Sequence, residues 1–237
     1  MPPSAGSVAV VIPTFNEAES IALVVTELPR AIVGRVIIAD GGSTDGTPDA
    51  ARRAGAEVIV VGRGYGLACL SGAQAATGAD IIVFMDGDGA DDPAGIAALV
   101  APLRAGAFDF VIASRARGER EAGSMAWHQI LAGLVAGRLT KLLYGVHYTD
   151  MCAFRAIRRE TLLALGMREM TYGWNLEMQM RAARSGLRVL EVPVGYRVRR
   201  GGESKVAGSL RGSIGAGLKI MSTFARVASE PLRGRAS

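Results

Sequence analysis

Cysteine is nearly absent: Cys69 and Cys152 are the two in 237 residues. Neither stands in a CxxC pair or has a second cysteine at zinc-ligand spacing, which excludes a disulfide scaffold and points to two ordinary thiols in a reducing compartment. Histidine is equally scarce, and His128 and His147 lack partners at metal-ligating spacing, so packing or solvent roles are expected of both. Aromatic residues make up 5%. With no stacking platform and no binding motif, nucleic acid is not an expected partner despite a net charge of +5. Long apolar runs are missing too, because each is soon broken by Arg, Asp or Lys, so no membrane-spanning helix is expected. The first residues, Met1 to Ser7, carry no basic stretch, and no signal peptide is expected. No repeat of solenoid length and no low-complexity linker occurs, which makes one domain the simplest reading.

What is present is a globular composition, with 49% hydrophobic and 21% charged residues and 31 glycines. Short β-branched runs alternate with alanine-rich stretches of helical period, the pattern of βαβ units on a mostly parallel sheet. Strands are expected at Val8–Ile12, Arg35–Ala39, Glu57–Val61, Ile81–Met85 and Phe108–Ala113, with helices starting near Glu17, Thr47, Gly66 and Pro93. Further on, the periodicity predicts a long helix Trp127–Tyr144, a strand Met151–Ala156, a helix Trp174–Ser185 and a strand Arg188–Val194. Trp127, Tyr172 and Trp174 are expected to pack this half. The charge is uneven: from Arg197 onward nine Lys/Arg face two Asp/Glu, so the rest of the chain is slightly acidic.

Three polar clusters follow strands: Pro13-Thr-Phe-Asn-Glu17, Asp40-Gly-Gly-Ser-Thr-Asp-Gly46 and Asp86-Gly-Asp-Gly-Ala-Asp91. In an open parallel sheet the carboxyl ends of neighbouring strands share one edge, where ligands bind, so the three should converge on one cleft. Asp86 and Asp88, separated by a glycine, suit a hard divalent cation that shares its remaining positions with substrate phosphates. The plainer alternative is an acidic turn capping the helix near Pro93, which Asp91 or Asp92 can serve alone. Asp40 with Gly42 gives an acidic acceptor beside a loop that backbone can approach closely.

Taken together, Val11-Ile-Pro-Thr-Phe-Asn-Glu17, Asp40-Gly-Gly-Ser-Thr-Asp-Gly-Thr47 and Asp86-Gly-Asp88 resemble the family 2 glycosyltransferases of the GT-A fold. Thr149-Asp150, Phe154-Arg155, Glu177, Glu191-Val-Pro193, Arg197 and Gly202-Glu-Ser-Lys205 are similar to the dolichyl- and polyprenyl-phosphate hexose synthases. The resemblance implies an α/β fold with a mostly parallel central sheet flanked by helices. It implies a UDP- or GDP-linked sugar donor, Mg2+ or Mn2+, inversion at the anomeric carbon and a polyprenyl phosphate acceptor. Residue by residue, it places Pro13, Thr14, Glu17, Asp40 and Gly42 at the base and ribose, and Asp86 and Asp88 at the metal and donor phosphate. Arg115, after Ser114, would face phosphate. Asp150 and Arg155 would lie on the acceptor side, and Arg197, Ser204 and Lys205 in a basic loop closing over the phosphates. Residues 1–116 would form the nucleotide-sugar half, 117–205 the acceptor half and 206–237 a basic helix and tail.

The pattern also departs from the family's. Its Asp-Pro-x-Ser-Gly-Phe-Arg reads Asp150-Met-Cys-Ala-Phe-Arg155, and Ala90 stands where relatives often place a metal-binding Gln. These changes bear on the acceptor more than on the donor. Asp150 is the candidate base for an alcohol acceptor, against a plainer role as a turn cap or arginine partner. Transfer to a hydroxyl acceptor such as a secondary metabolite, a non-catalytic nucleotide-sugar-binding protein, and a nucleotidyltransferase are the competing readings. At the end, Leu210, Ile214, Leu218 and Met221 repeat at helical spacing over 206–228, with Arg211, Lys219 and Arg226 off that line. Such a helix is either a solvated face or a dock for an anionic leaflet. A cytoplasmic protein, peripheral on the membrane's cytoplasmic face, is therefore expected.

Overall fold

The structure, a computed structural model, describes residues 6–201 and 210–230. All its strands join one sheet in the order β3-β2-β1-β4-β6-β5-β7. These are β1 Val8–Thr14, β2 Arg35–Asp40, β3 Glu57–Val60, β4 Ile81–Phe84, β5 Phe110–Ser114, β6 Arg155–Arg158 and β7 Val189–Pro193. The first four pair in parallel, and β7 runs parallel to β5. The inner strands are apolar on both faces, as a sheet covered by helices on each side requires. Val8–Ile12, Ile81–Phe84 and Phe110–Ala113 are almost wholly buried.

The helices are α1 Ile21–Glu27, α2 Thr47–Arg53, α3 Tyr65–Ala75, α4 Ile96–Arg104, α5 Trp127–Tyr144, α6 Arg159–Ala164, α7 Trp174–Arg184 and α8 Leu210–Ser229. A 3-10 turn, Pro93–Gly95, precedes α4, and Asp92 caps it by accepting the N–H of Ala94 at 3.1 Å. Trp174 is buried and meets Phe84 edge-on with ring centroids 6.3 Å apart. Trp127 and Tyr172, expected to pack the second half, are instead exposed. Both cysteines are buried and unpaired, and burial pushes both thiols up.

Two boundaries differ from the sequence expectation for identifiable reasons. The first helix begins at Ile21, not near Glu17. The N–H of Glu17 is spent on Thr47 Oγ1 (2.9 Å) and that of Ala18 on Asp45 (3.0 Å), so this stretch ties down the loop after β2. The strand expected at Met151–Ala156 begins only at Arg155. It runs antiparallel between β4 and β5, an insertion that alternating βαβ units do not foretell. The preceding residues are held by side chains: Thr149 by Glu191, Asp150 by Arg115. Among the described residues no helix is long and apolar enough to cross a membrane.

Candidate active site

The carboxyl ends of β1, β2, β4 and β5 share one sheet edge, with Thr14 and Asp40 side by side in the ladder. On the β1–β2 side the loops are bound to each other. Asp40 accepts the N–H groups of Gly42 (2.9 Å) and Ser43 (2.8 Å) on one oxygen. Its other oxygen accepts the hydroxyls of Ser43 (2.6 Å) and Thr14 (3.2 Å). All four acceptor positions are thus filled from within, and Asp40 shapes this loop rather than offering an open carboxylate. Gly42, at φ +87°, supplies the left-handed turn that brings its own N–H back to Asp40. Pro13 and Glu17 flank the same corner, and a shallow groove runs along Asn16, Glu17, Ala18, Glu19 and Asp45.

The centre of the edge is acidic. Asp86, Asp88 and Asp91 lie within one turn after β4, the last two almost buried. Gly87, between Asp86 and Asp88, keeps this turn close to β1, since a Cβ there would stand 3.0 Å from the Thr14 side chain and make it shift. Asp86 takes the Tyr65 hydroxyl at 3.3 Å. Burial, then the neighbouring charge of Asp88, pushes its carboxyl up to about 6. Asp91 points back at the loop, accepting the N–H of Asp86 at 3.0 Å, and burial with Asp86 raises it well above the carboxylate range. Crowded, poorly solvated carboxylates invite a cation. Among the described residues no group of three or more His, Cys, Asp or Glu is placed to hold a metal alone. Asp86 and Asp88 therefore fit a hard ion such as Mg2+ or Mn2+ only as a partial oxygen set, to be completed by phosphate oxygens and water.

Of the three candidate arginines, Arg115 lies beside this centre, Arg197 lies at its rim and Arg155 faces away, while a fourth arginine, Arg199, contacts it directly. Arg115 forms a two-pronged pair with Asp150: Nη2 to Oδ1 at 2.7 Å, Nε to Oδ2 at 2.9 Å, with the Arg115 N–H also on Oδ2 at 2.9 Å. Its guanidinium sits 4.9 Å from the Tyr196 ring centre. Asp150 is thus an arginine partner, with two donors of the guanidinium and a backbone N–H on its oxygens. Arg197 turns to the rim, to Glu27 (3.2 Å) and Asp92 (3.0 Å). The arginine on the central carboxylate is Arg199, 2.8 Å from Asp88 and 4.0 Å from Glu17. The sequence offers Arg197, Arg199 and Arg200 as a cluster with nothing to single out the middle one. Arg155 is fully buried, donating to the carbonyls of Cys152, Ala153 and Asn175, so it braces the loop carrying Asp150 instead of facing an acceptor. Ser204 and Lys205 lie outside the described residues.

The basic helix α8 also differs from expectation. Lys219 and Arg226 pair with Glu169 (3.4 and 3.9 Å), and Arg226 with Glu177 (2.9 Å). Val227 packs on Ala136, Leu176 and Met180, with Ile220 and Phe224 alongside. Two of the three cations expected to meet a leaflet are committed to the protein itself, while Met221 remains exposed.

Comparison with known proteins places this geometry. The Glycosyl transferase family 2 model matches residues 9–166. An uncharacterized glycosyltransferase of Mycobacterium tuberculosis is 39% identical over 211 residues, 88% of this chain and 93% of that protein. Undecaprenyl-phosphate mannosyltransferase of Micrococcus luteus is 32% identical over 219 residues, 86% of this chain and 89% of its own. Among solved structures, glucosyl-3-phosphoglycerate synthase from Mycobacterium tuberculosis, in complex with Mn2+, UDP-glucose and phosphoglyceric acid, superposes with a TM-score of 0.75. It is 25% identical, over 95% of this chain and 81% of that one. The fold is GT-A-like. With the match running from β1 through the antiparallel strand β6, and relatives similar over most of their length, the chain belongs to glycosyl transferase family 2.

Proposed function

We propose that this glycosyltransferase moves a hexosyl group from a nucleoside diphosphate sugar to the phosphate of a polyprenyl phosphate. The observation that carries the acceptor is the closed pair Arg115–Asp150. An alcohol acceptor needs a carboxylate to take its proton, whereas a phosphate monoester is already a nucleophilic anion and needs a cation to hold it. The site offers a guanidinium where an open base would otherwise stand. The names of relatives support the same reading, since one is an undecaprenyl-phosphate mannosyltransferase and another, 30% identical, a polyprenol monophosphomannose synthase.

In this reading the β1 and β2 loops, at Pro13, Thr14, Glu17, Asp40 and Gly42, seat the nucleoside. Asp86 and Asp88 hold a divalent cation that, when bound, neutralises the departing diphosphate. Arg115, oriented by Asp150, draws the acceptor phosphate to the anomeric carbon. An acceptor oxygen forms the new bond from the face opposite the diphosphate, the old C–O bond breaks, and the nucleoside diphosphate leaves with its electron pair. Fixed positive charge placed in advance is the main source of rate in such a site.

In this reading the lipid tail is supported by α5. Its inner face has no room for a Cβ at Gly137 against the Tyr148 carbonyl, so the helix lies directly on the segment that carries Asp150. Its outer face exposes Trp127, Leu131, Val135 and Leu142, with exposed Arg138 on the same line and Lys141 at its side. An exposed apolar stripe carrying cations suits an anionic bilayer surface.

A second reading, transfer to a water-soluble phosphorylated acceptor, is favoured by the phosphoglyceric acid in the structural neighbour. The experiment supplies UDP-glucose or GDP-mannose with Mn2+ and either undecaprenyl phosphate or 3-phosphoglycerate, and identifies products by mass spectrometry. A glycosyl phosphoprenol is expected. Product only with the soluble acceptor overturns the proposal, and donor binding without turnover on either points to a non-catalytic protein.

A further inference from the structure

The segment from Val194 to Gly201 crosses the acidic centre as a strap. Its backbone is stitched down on both sides: Tyr196 N–H to the Glu119 carbonyl (3.0 Å), Arg197 N–H to Ala90 (2.9 Å) and Arg200 N–H to Asp88 (2.9 Å). Arg200 lies over Gly89, where a Cβ would stand 3.4 Å from its side chain. Arg197 and Arg200 anchor the strap at the rim on Glu27, at 3.2 and 3.0 Å. Arg199 alone turns inward. Its Nη2 donates to Asp88 Oδ2 at 2.8 Å, and Nη1 lies 4.0 Å from Glu17. The other Asp88 oxygen accepts the N–H of Ala90 at 3.0 Å. Both Asp88 oxygens are therefore engaged, one by a guanidinium and one by a backbone N–H.

We infer that Arg199 is the resident counter-cation of Asp88, and that it yields this carboxylate to the divalent ion when the donor diphosphate offers it new oxygens, so that metal and nucleotide bind cooperatively. A guanidinium and a divalent ion repel each other and compete for one lone-pair face, so metal alone must first displace Arg199. A diphosphate removes that cost, because its oxygens match the planar guanidinium fork as well as a carboxylate does. Two ligands that each relieve the other's cost are coupled by the same factor in both directions. The inference rests on the metal and diphosphate reading of Asp86 and Asp88.

Mn2+ binding to the full chain, followed by the EPR signal of free Mn2+, tests it in the wild type, Arg199→Gln and Asp88→Asn. Each is titrated with and without UDP, and corrected for Mn2+ held by UDP in solution. Arg199→Gln is expected to bind Mn2+ alone about tenfold more tightly than wild type and to lose a similar factor of the tightening that UDP produces. Unchanged Mn2+ affinity in Arg199→Gln overturns the role of Arg199, provided Asp88→Asn has lost Mn2+. Asp88→Asn binding Mn2+ as wild type does overturns the site itself. If Arg199→Gln misfolds by circular dichroism, the wild type alone decides: Mn2+ affinity unmoved by UDP overturns the coupling.

Discussion

Two clusters of buried acids in this molecule behave in opposite ways. Glu177 on α7 accepts the N–H groups of Arg168 (2.9 Å) and Glu169 (2.6 Å) on one oxygen, and Arg181 and Arg226 (both 2.9 Å) on the other. Glu169 is similarly supplied by Thr171, Thr223 and Lys219. Burial works against both charges, yet these donors hold both carboxyls below their usual range. At the end of β4 burial works the same way, the donors are fewer and the neighbours are other acids, so Asp86 and Asp91 are pushed up. Burial is common to both, so what separates them is the supply of donors. Where donors are in surplus, acids fasten α8 to α7. Where acids outnumber donors, as at Asp86 and Asp91 even with Arg199 on Asp88, negative charge stays in surplus and a further cation would be favoured.

That contrast is broken most severely at Asp88. Asp88→Ala is expected to lower transfer by about a thousandfold, the scale of losing one preorganised electrostatic contact at a leaving group. EDTA should do the same to the wild type, and near-normal turnover of the variant in saturating Mn2+ would separate the acidic centre from the chemistry. Thermal stability should change little, since the repulsion relieved at Asp86 and Asp91 is offset by the lost contacts of Arg199 and the Ala90 N–H.

Glu177→Ala should give the reverse. It leaves the N–H groups of Arg168 and Glu169 without their acceptor, while Arg181 keeps Glu230 and Arg226 keeps Glu169 and Glu230, so the loss is that of charged hydrogen bonds, about 1.5–3 kcal/mol. Urea unfolding measures it, with kcat of the folded fraction unchanged. The pH dependence follows from the lowered carboxyls. Because Glu169 and Glu177 ionise at lower pH folded than unfolded, their contribution is complete above the unfolded value, about 4.3. It is lost as pH falls through the folded values. The stability gap between wild type and Glu177→Gln should therefore shrink on acidification below about pH 4. A gap that stays constant to lower pH would mean that packing, not charge, fastens α8.

The parts of the molecule legible in the sequence are those set by short-range pattern. β1, β2 and β4 are near-continuous β-branched runs, and α5 spans Trp127–Tyr144 as its periodicity predicts. The convergence of Thr14, Asp40 and Asp86 on one edge follows from parallel strands alone. The illegible parts depend on which of several similar groups reaches a partner far along the chain. Arg199 rather than Arg197 meets Asp88, 111 residues away, because the strap's backbone bonds fix which side chain turns inward. The late start of β6 depends on Thr149 and Asp150 being tied to Glu191 and Arg115. The cations of α8 read as a surface feature only until Glu169 and Glu177 appear beneath them.

Asp150 lies between the two clusters in kind: an acid held by three donors, much as Glu177 is held by four, yet at the sheet edge that carries Asp88. If it acts by aiming Arg115, Asp150→Asn exchanges one charge-assisted hydrogen bond for an amide donor facing a guanidinium. Charged hydrogen bonds are worth about 1.5–3 kcal/mol, so kcat/KM should fall by about ten- to a hundredfold. The acidic limb of the pH–rate profile should keep its position, because no proton passes through the carboxylate. If Asp150 instead takes a proton from an alcohol acceptor, the same variant removes that limb, and the loss exceeds what one misaligned arginine can cause. The profile therefore distinguishes the two where the size of the loss alone does not, and a vanished acidic limb would move Asp150 from positioning Arg115 to the chemistry, and the acceptor from phosphate to hydroxyl.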